Sequence, residues 1–253
     1  MVVIAVLALL IAIVAPAMMA AKACARRVLC GSNLHQLSLG FKIYQHENKT
    51  FPYGFSNLNI TNPGFMPPEG YAGFSSYDRL GRWWLNDLQS SVEFDLNMGS
   101  IAWCPARRTS EPSARGNILC GNYGVNRSIF KDAQGSSIFV GEPLKASEVR
   151  RPSATLLISD SGYSLLSWLA AANTSDPVFE NNDRVDFFYI PGLAFNQTRN
   201  ELQNKSDAIK GRHPHQTLNV GFADGHHEVR DAESLMINAI PVDQEKLPSL
   251  WNP

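Results

Sequence analysis

The sequence predicts an α+β fold in which one long N-terminal helix packs against an antiparallel β-sheet head. Three observations predict it. The run from Met1 to Ala21 is apolar and free of charge, a stretch of helical period continues from it to Tyr44, and strand-like alternation flanks Asp224-Gly225. Residues 1–21 are then the transmembrane half of the helix, 22–48 its amphipathic half, and 49–253 one exported globular α+β domain. A head of about 200 residues is an ordinary size for a single domain.

At the standard rise, Met1 to Ala21 spans roughly 30 Å, the thickness of a bilayer's hydrocarbon core. Pro16 removes one backbone donor and crowds the carbonyl four residues back, which predicts a kink between Ala12 and Pro16. A cleaved signal peptide is the competing reading, since Ala17-Met18-Met19-Ala20 and Ala21-Lys22-Ala23 resemble cleavage sites. The missing basic segment before Val2 and the length of the apolar run favour a retained anchor. Beyond it, Ala25, Val28, Leu29, Leu34, Leu37, Phe41 and Tyr44 recur at helical spacing, with His35, Gln36, Ser38 and Lys42 between them. Gly31 and Gly40 weaken this stretch by up to about 1 kcal/mol each. Phe51-Pro52-Tyr53-Gly54 ends it, because proline biases the preceding residue away from helix. The expected element is a helix of roughly 45 residues, about 70 Å long.

From Tyr53 to Tyr77 the chain reads as a long ordered loop whose Phe55, Phe65, Tyr71 and Phe74 require burial. Leu80 to Leu88 reads as a short helix or turn. Ile101 to Trp103, Ile118 to Val125, Ile138 to Val140, Thr155 to Ser159 and Val185 to Ile190 read as strands, and Ala146 to Val149 as a helical turn. Leu218, Val220 and Phe222 alternate with Asn219, Gly221 and Ala223, and His227 to Arg230 returns. Asp224-Gly225 between them predicts a two-residue turn with positive φ at both central positions. Ala232 to Ile240 reads as a short helix.

The formal net charge is −1, yet no acidic residue precedes Glu47, so the head is net negative. An acidic head excludes general nucleic-acid binding, which requires basic surface against phosphates. Arg107-Arg108 and Arg150-Arg151 read as solvated surface, and six N-x-S/T sequons as surface loops. None of the four cysteines forms a C-x-x-C pair, so zinc-ribbon and redox spacings are absent. Cys30, Cys104 and Cys120 are the disulfide candidates: Cys104 with Cys120 closes a short loop, and Cys30 with Cys104 ties the helix to the head.

Several blocks occur together in order. They are Val2 to Ala12 with Pro16, Ala25-Arg26-Arg27, Cys30-Gly31-Ser32-Asn33-Leu34-His35-Gln36-Leu37, Tyr44 and Phe51-Pro52. Downstream come Trp83-Trp84, Cys104-Pro105, Tyr123-Gly124-Val125-Asn126, Pro152 to Thr155, Ser159-Asp160-Ser161, Arg212-His213 and Phe222 to His226. In this set the chain resembles type IV pilins and type II secretion pseudopilins, and more narrowly the bacterial prepilin-type, processing-associated family marked by His, nine residues, then Asp-Gly. The resemblance implies a structural, non-enzymatic subunit anchored once in the bacterial cytoplasmic membrane, its C-terminal domain outside the cytoplasm. Its implied partners are the membrane and other pilin-like subunits or secretion-apparatus proteins. The corresponding motif residues are Cys30, Asn33, Leu34, Cys104, Pro105, Asp160, His213, Asp224 and Gly225.

Two departures stand out. The family's basic leader, its Gly and the following Phe-Thr-Leu-Ile-Glu do not precede Val2, which leaves an upstream start or an unprocessed chain as alternatives. His213 is separated from Asp224 by ten residues and His215 by eight, so either is the candidate equivalent. Arg26 and Arg27 after the apolar run would place the C-terminus inside the cell, whereas the resemblance implies the reverse.

The competing chemistry is limited. His213, His215, Asp224 and His226 are candidate zinc or nickel ligands near the hairpin, although adjacent His226 and His227 point to opposite strand faces. A structural role for these residues is the favoured reading. Ser159-Asp160-Ser161 with His213 suggests a hydrolase, but no G-x-S-x-G elbow accompanies it. Glu180, Asp183 and Asp186 with Asn181 and Asn182 offer oxygen ligands for calcium without EF-hand spacing. The alternative function is an exported metal- or carbohydrate-binding module on a pilin-type anchor.

Overall fold

The structure is a computed structural model that describes residues 2–56, 81–107, 118–119, 122–134, 138–161, 164–171, 211–235, 237 and 247–253. Helix α1 (Val2–Asn48) runs unbroken for 47 residues, with Pro16 inside it. Residues 2–22 are all exposed. Their most apolar window has a mean hydropathy of 2.9 with none of it buried, so this part is long and apolar enough to cross a membrane.

The buried stripe of α1 begins at Cys30 and continues through Leu34, Leu37 and Phe41, with Tyr44 half-buried. These positions recur at the spacing that keeps one helix face on one neighbour. The expected stripe is therefore too long at its upper end: Ala25 is exposed, Val28 is 66 % exposed and Leu29 54 %. Periodicity reports which face is apolar but not how far the covering surface extends. Gly31 and Gly40 do more than weaken the helix, because a Cβ at Gly31 would sit 3.1 Å from Asn219 and one at Gly40 3.1 Å from Leu88. Both glycines let the head approach the helix backbone.

A small ribbon pairs β1 (Phe55–Ser56) with β2 (Arg82–Trp83), in register Phe55 with Trp83. Helix α2 (Trp84–Ser91) follows directly and buries Trp84, Leu85 and Leu88. Phe41 meets Trp84 and Phe130 at ring-centroid distances of 5.5 and 4.9 Å, and Phe51 meets Phe130 at 5.2 Å. This aromatic cluster fills the angle between α1 and α2. Phe65, Tyr71 and Phe74 lie outside the described residues.

The main sheet is built from β3 (Tyr123–Asn126), β4 (Leu156–Asp160), β5 (Leu165–Leu166), β6 (Thr217–Phe222) and β7 (His227–Asp231). Its order is β5-β3-β4-β6-β7. Four strands are antiparallel as expected, but β5 lies parallel to β3. β5 therefore lies on the side of β3 away from β4. Helix α3 (Trp168–Ala171) follows β5.

All six residues of β6 are buried, so its alternation sorts into two covered faces rather than an inner and an outer one. Leu218, Val220 and Phe222 join Leu156, Leu166, Trp168, Leu235, Leu250 and Trp251 in a core that does not include α1. The helix packs on the other face, where Asn219 and Gly221 stand. A Cβ at Gly221 would lie 2.5 Å from Leu34 Cδ2 and 3.0 Å from Ile158 Cγ2. Glycine is required there by the close approach of helix and sheet.

Several expected elements differ. Ile101 to Trp103 is a turn, closed by a bond from Trp103 N to Ser100 O of 3.0 Å, because three apolar residues cannot fix a strand by period alone. Ile138 to Val140 reduces to a single bridge between Val140 and Asp132. Within Ile118 to Val125, the strand begins only at Tyr123, after a turn at Ile118-Leu119. The helical turn expected at Ala146 to Val149 is present as a 3₁₀ turn at Ala146–Glu148, and the helix expected from Ala232 begins as a 3₁₀ turn at Ala232–Leu235, with 236 and 238–240 outside the described residues. Val185 to Ile190 lies outside the described residues. The sequon at Asn126 is not on a surface loop: Asn126 is fully buried in β3 and donates from Nδ2 to Leu156 O at 3.0 Å.

The β6–β7 turn is also not the expected two-residue type. Gly225 N donates to Phe222 O and Phe222 N to His226 O, both at 2.9 Å, leaving a three-residue loop. Only Gly225 has positive φ, at 95°. This is a type I turn followed by a glycine bulge, in which Asp224 needs no left-handed conformation. Replacing Gly221 with valine is expected to destabilise the fold by about 1–3 kcal/mol through overpacking against Leu34. Denaturant unfolding of Gly221→Val, alone and combined with Leu34→Ala, checks this; purely additive losses would show that the two sites do not share the space.

Candidate functional site

The structure gathers chemistry-bearing side chains where α1 enters the head. Cys30 on α1 and Cys104 in the turn after Trp103 form a disulfide with a Cα–Cα distance of 5.3 Å. Of the pairings open from sequence, the helix-to-head tie is therefore the one formed. Cys24 is free and exposed, and Cys120 lies outside the described residues.

Beside the disulfide, Asp160 ends β4 and His213 precedes β6. His213 Nε2 lies 2.9 Å from Asp160 Oδ2, and both side chains are essentially inaccessible. The same carboxylate oxygen accepts from Asn219 N at 2.7 Å and Asn219 Nδ2 at 3.0 Å. Asn219 Nδ2 also faces Arg27 O of α1 at 3.2 Å. Arg212 donates to the carbonyls of Asn122 and Ser161, and its Nη1 stands 4.0 Å from Asp160 Oδ1. Asn122 in turn accepts from Cys104 N at 3.1 Å. One buried carboxylate thus holds three donors and sits beside a guanidinium, as a buried charge requires.

Local chain geometry explains how His213 reaches Asp160. His213 N donates to Thr217 O at 3.0 Å, which closes a tight loop before β6. Within it His215 and Gln216 have φ of 60° and 59°, the left-handed region. The loop turns His213 inward and leaves His215 exposed. Of the two histidines that sequence left open, His213 is the one joined to Asp160.

Two further bonds fix the helix at this level. Tyr123 OH donates to Cys30 O at 3.4 Å, and Asn33 Nδ2 to Trp103 O at 3.2 Å. Burial, then the charge of Asp160, pushes the Tyr123 phenol far above its ordinary value, against smaller opposing effects of Asn33 and Arg212. Tyr123 therefore stays a neutral donor through the physiological range. A cleft of about 420 Å³ opens alongside, between Ala20, Ala23 and Arg26 of α1 and the loop carrying Arg212, His213 and Gln216.

The proposed ligand set His213, His215, Asp224 and His226 does not converge. His213 precedes β6 and Asp224 follows it, and a six-residue strand separates its ends by roughly 20 Å. Asp224 and His226 instead brace the hairpin: His226 Nδ1 lies 2.6 Å from Asp224 Oδ1, and its ring stacks on Phe222 at 4.3 Å. Lys42 of α1 donates to Asp224 O. Burial opposes ionisation of Asp224, but the bonds from His226 and the charges of His226 and Lys42 bring its carboxyl below the ordinary value. The calcium candidates Glu180, Asp183 and Asp186 lie outside the described residues.

The motif residues thus divide in space. Cys30, Asn33, Leu34, Cys104, Asp160 and His213 meet around the tie, Pro105 beside Cys104 is exposed, and Asp224-Gly225 sits at the hairpin tip against Lys42. Sequence reasoning missed Asn219, which links Asp160 to the helix; its polar character amid Leu218 and Val220 was the available signal. For the hydrolase reading, His213 Nε2 is engaged by Asp160 and Asn219, and no serine hydroxyl is bonded to it among the described residues. No family model, curated protein or solved structure matches the chain.

Asp160→Ala strands Asn219 and His213 in a buried setting and is expected to cost about 1–3 kcal/mol for each donor left unpaired. Denaturant midpoints of Asp160→Ala against Asp160→Asn check this, with the smaller loss expected for asparagine. A second outcome follows from the tyrosines. Burial and the Asp87 charge push Tyr44 up to about 12, and Tyr123 is shifted the same way. The unfolded chain releases these protons near pH 10, so stability should fall as pH rises above about 10. Tyr123→Phe should flatten that fall in thermal melts across the alkaline range.

Proposed function

We propose that the chain is a structural, pilin-like subunit, anchored by the first half of α1 in the bacterial cytoplasmic membrane with its head outside. The observation that carries this reading is the division of labour along one continuous helix. Residues 2–21 carry no charge and are all exposed, whereas Cys30 to Phe41 form the spine of the head. An ordinary anchor needs a span but no such spine; a subunit that transmits position from membrane to head needs both.

The chemistry of the gathered site supports a structural role. Its polar atoms face one another and the helix backbone, and its disulfide ties residues 74 apart in sequence. Closing so long a loop reduces the unfolded chain's entropy, an effect of about 4 kcal/mol in the chain-entropy account. A disulfide also fits a head folded in an oxidising compartment. In this reading the partners are the membrane and other pilin-like subunits of a type II secretion or type IV pilus-like apparatus, whose apolar helices bundle.

The full-length chain is expected in the membrane fraction, resistant to salt and alkaline extraction, and a deletion of Val2 to Ala21 is expected to be soluble. Protease added to intact spheroplasts should digest the head. A full-length chain recovered entirely in the soluble fraction, or a head protected until the membrane is broken, would overturn the proposal.

A further inference from the structure

The two cysteines of the tie do not stand alone. One ligand atom each from Cys30, Cys104, Asp160 and His213 lie within 4.8 Å of one another, and all four residues are buried. Two sulfurs, an imidazole nitrogen and a carboxylate oxygen are a complete tetrahedral zinc set, and zinc is the divalent ion best matched to mixed sulfur, nitrogen and oxygen donors. In the disulfide form the sulfurs are spent on each other. The geometry points to a redox-exchangeable tie: when a dithiol reduces Cys30–Cys104, the same four residues bind one zinc ion, which then holds α1 to the head in place of the covalent bond.

Three observations carry this beyond proximity. His213 Nδ1 and Asp160 Oδ1 are buried without a hydrogen-bond partner among the described residues, so each residue retains an uncommitted acceptor. Because Asp160 is itself a ligand in this set, its bond to His213 Nε2 gives way when both residues turn to the metal, and the ion between them takes the place of that contact. The charge also closes: two thiolates and one carboxylate bring three negative charges to a doubly charged ion, and Arg212 stands 4.0 Å from Asp160 to offset the remainder. Ligands on tetrahedral zinc lie roughly 3.5 Å apart, so the cluster needs to contract by about 1 Å while the sulfurs part. The cleft lined by Ala106, Arg212 and His213 opens on the edge of the cluster at His213.

The exchange balances. The dithiol supplies two electrons and two protons and becomes a disulfide, and Cys30 and Cys104 become thiols. Zinc binding then releases two protons as both thiols become thiolates, with His213 neutral and Asp160 ionised. No other oxidant or reductant enters.

The test uses the full-length chain in detergent, oxidised or held reduced by a phosphine, with Cys24→Ser and Cys120→Ser introduced so that only the tie carries thiols. The reduced protein is expected to retain one zinc per chain through desalting, and the oxidised protein none. Cobalt in place of zinc should give thiolate-to-metal charge-transfer absorption and tetrahedral d–d bands. His213→Gln and Asp160→Asn should each weaken zinc binding at least about tenfold in chelator competition. Should either variant fail to fold, the cobalt spectrum of the reduced parent still decides, since the charge-transfer intensity scales with the number of bound thiolates and must be that of two. A reduced, folded protein without stoichiometric zinc, equal uptake in the oxidised form, or a cobalt spectrum lacking thiolate bands would overturn the inference.

Discussion

Everything in the head is referred to one close contact, the seating of α1 on the face of the sheet that carries Asn219 and Gly221. Leu34 enters the space left by the missing side chain of Gly221, and Ile158 closes it from β4. Because the fit depends on absent volume, the helix cannot slide by one turn without placing another side chain against backbone. The Cys30–Cys104 bond and the Tyr123 and Asn219 bonds to helix carbonyls hold the same register from one end. Phe41 among Trp84 and Phe130 holds it from the other.

This seating separates two kinds of packing. Toward the helix, the sheet offers a mixed surface in which glycine, asparagine and aspartate lie between Tyr123, Val125 and Ile158. Away from it, Leu218, Val220 and Phe222 face the chain's C-terminal segment, with Trp251 donating from its indole to Leu235 O at 2.9 Å. The head therefore has a covered far side of its own, and the helix is a third layer. On the helix side Asp160, His213 and Asn219 fix direction by hydrogen bonds as apolar contact alone cannot, and a second buried polar pair, Arg127 with Asp132, stands by Phe139 of the far-side core.

The polar cluster at the helix entry is a mechanical junction before it is anything else. A rod that projects from the head before Ala20 exerts leverage where it meets the head, roughly 30 Å from Val2. A covalent bond, a buried carboxylate with three donors and a neutral tyrosine all concentrate at that level. The same concentration of sulfur, imidazole and carboxylate gives the junction a second chemistry once its covalent bond is opened.

Local information determined much of this protein. The long helix, its apolar first half and the stripe of Leu34, Leu37 and Phe41 follow from composition and period, which act within a few turns of one chain segment. The strand read at Thr155 to Ser159, found at Leu156–Asp160, and the existence of the final hairpin were equally legible as local signals, whereas the type of its turn was not. Other features had no local cause. Which cysteines pair, which of His213 and His215 turns inward, where the covered stripe ends, and that β6 is buried on both faces all depend on segments far apart in sequence meeting in space. Asn219 and Gly221 show the reason most plainly: read alone they are the weak, outward positions of an alternating strand, and only the helix arriving from residues 27–38 makes them the centre of the fold.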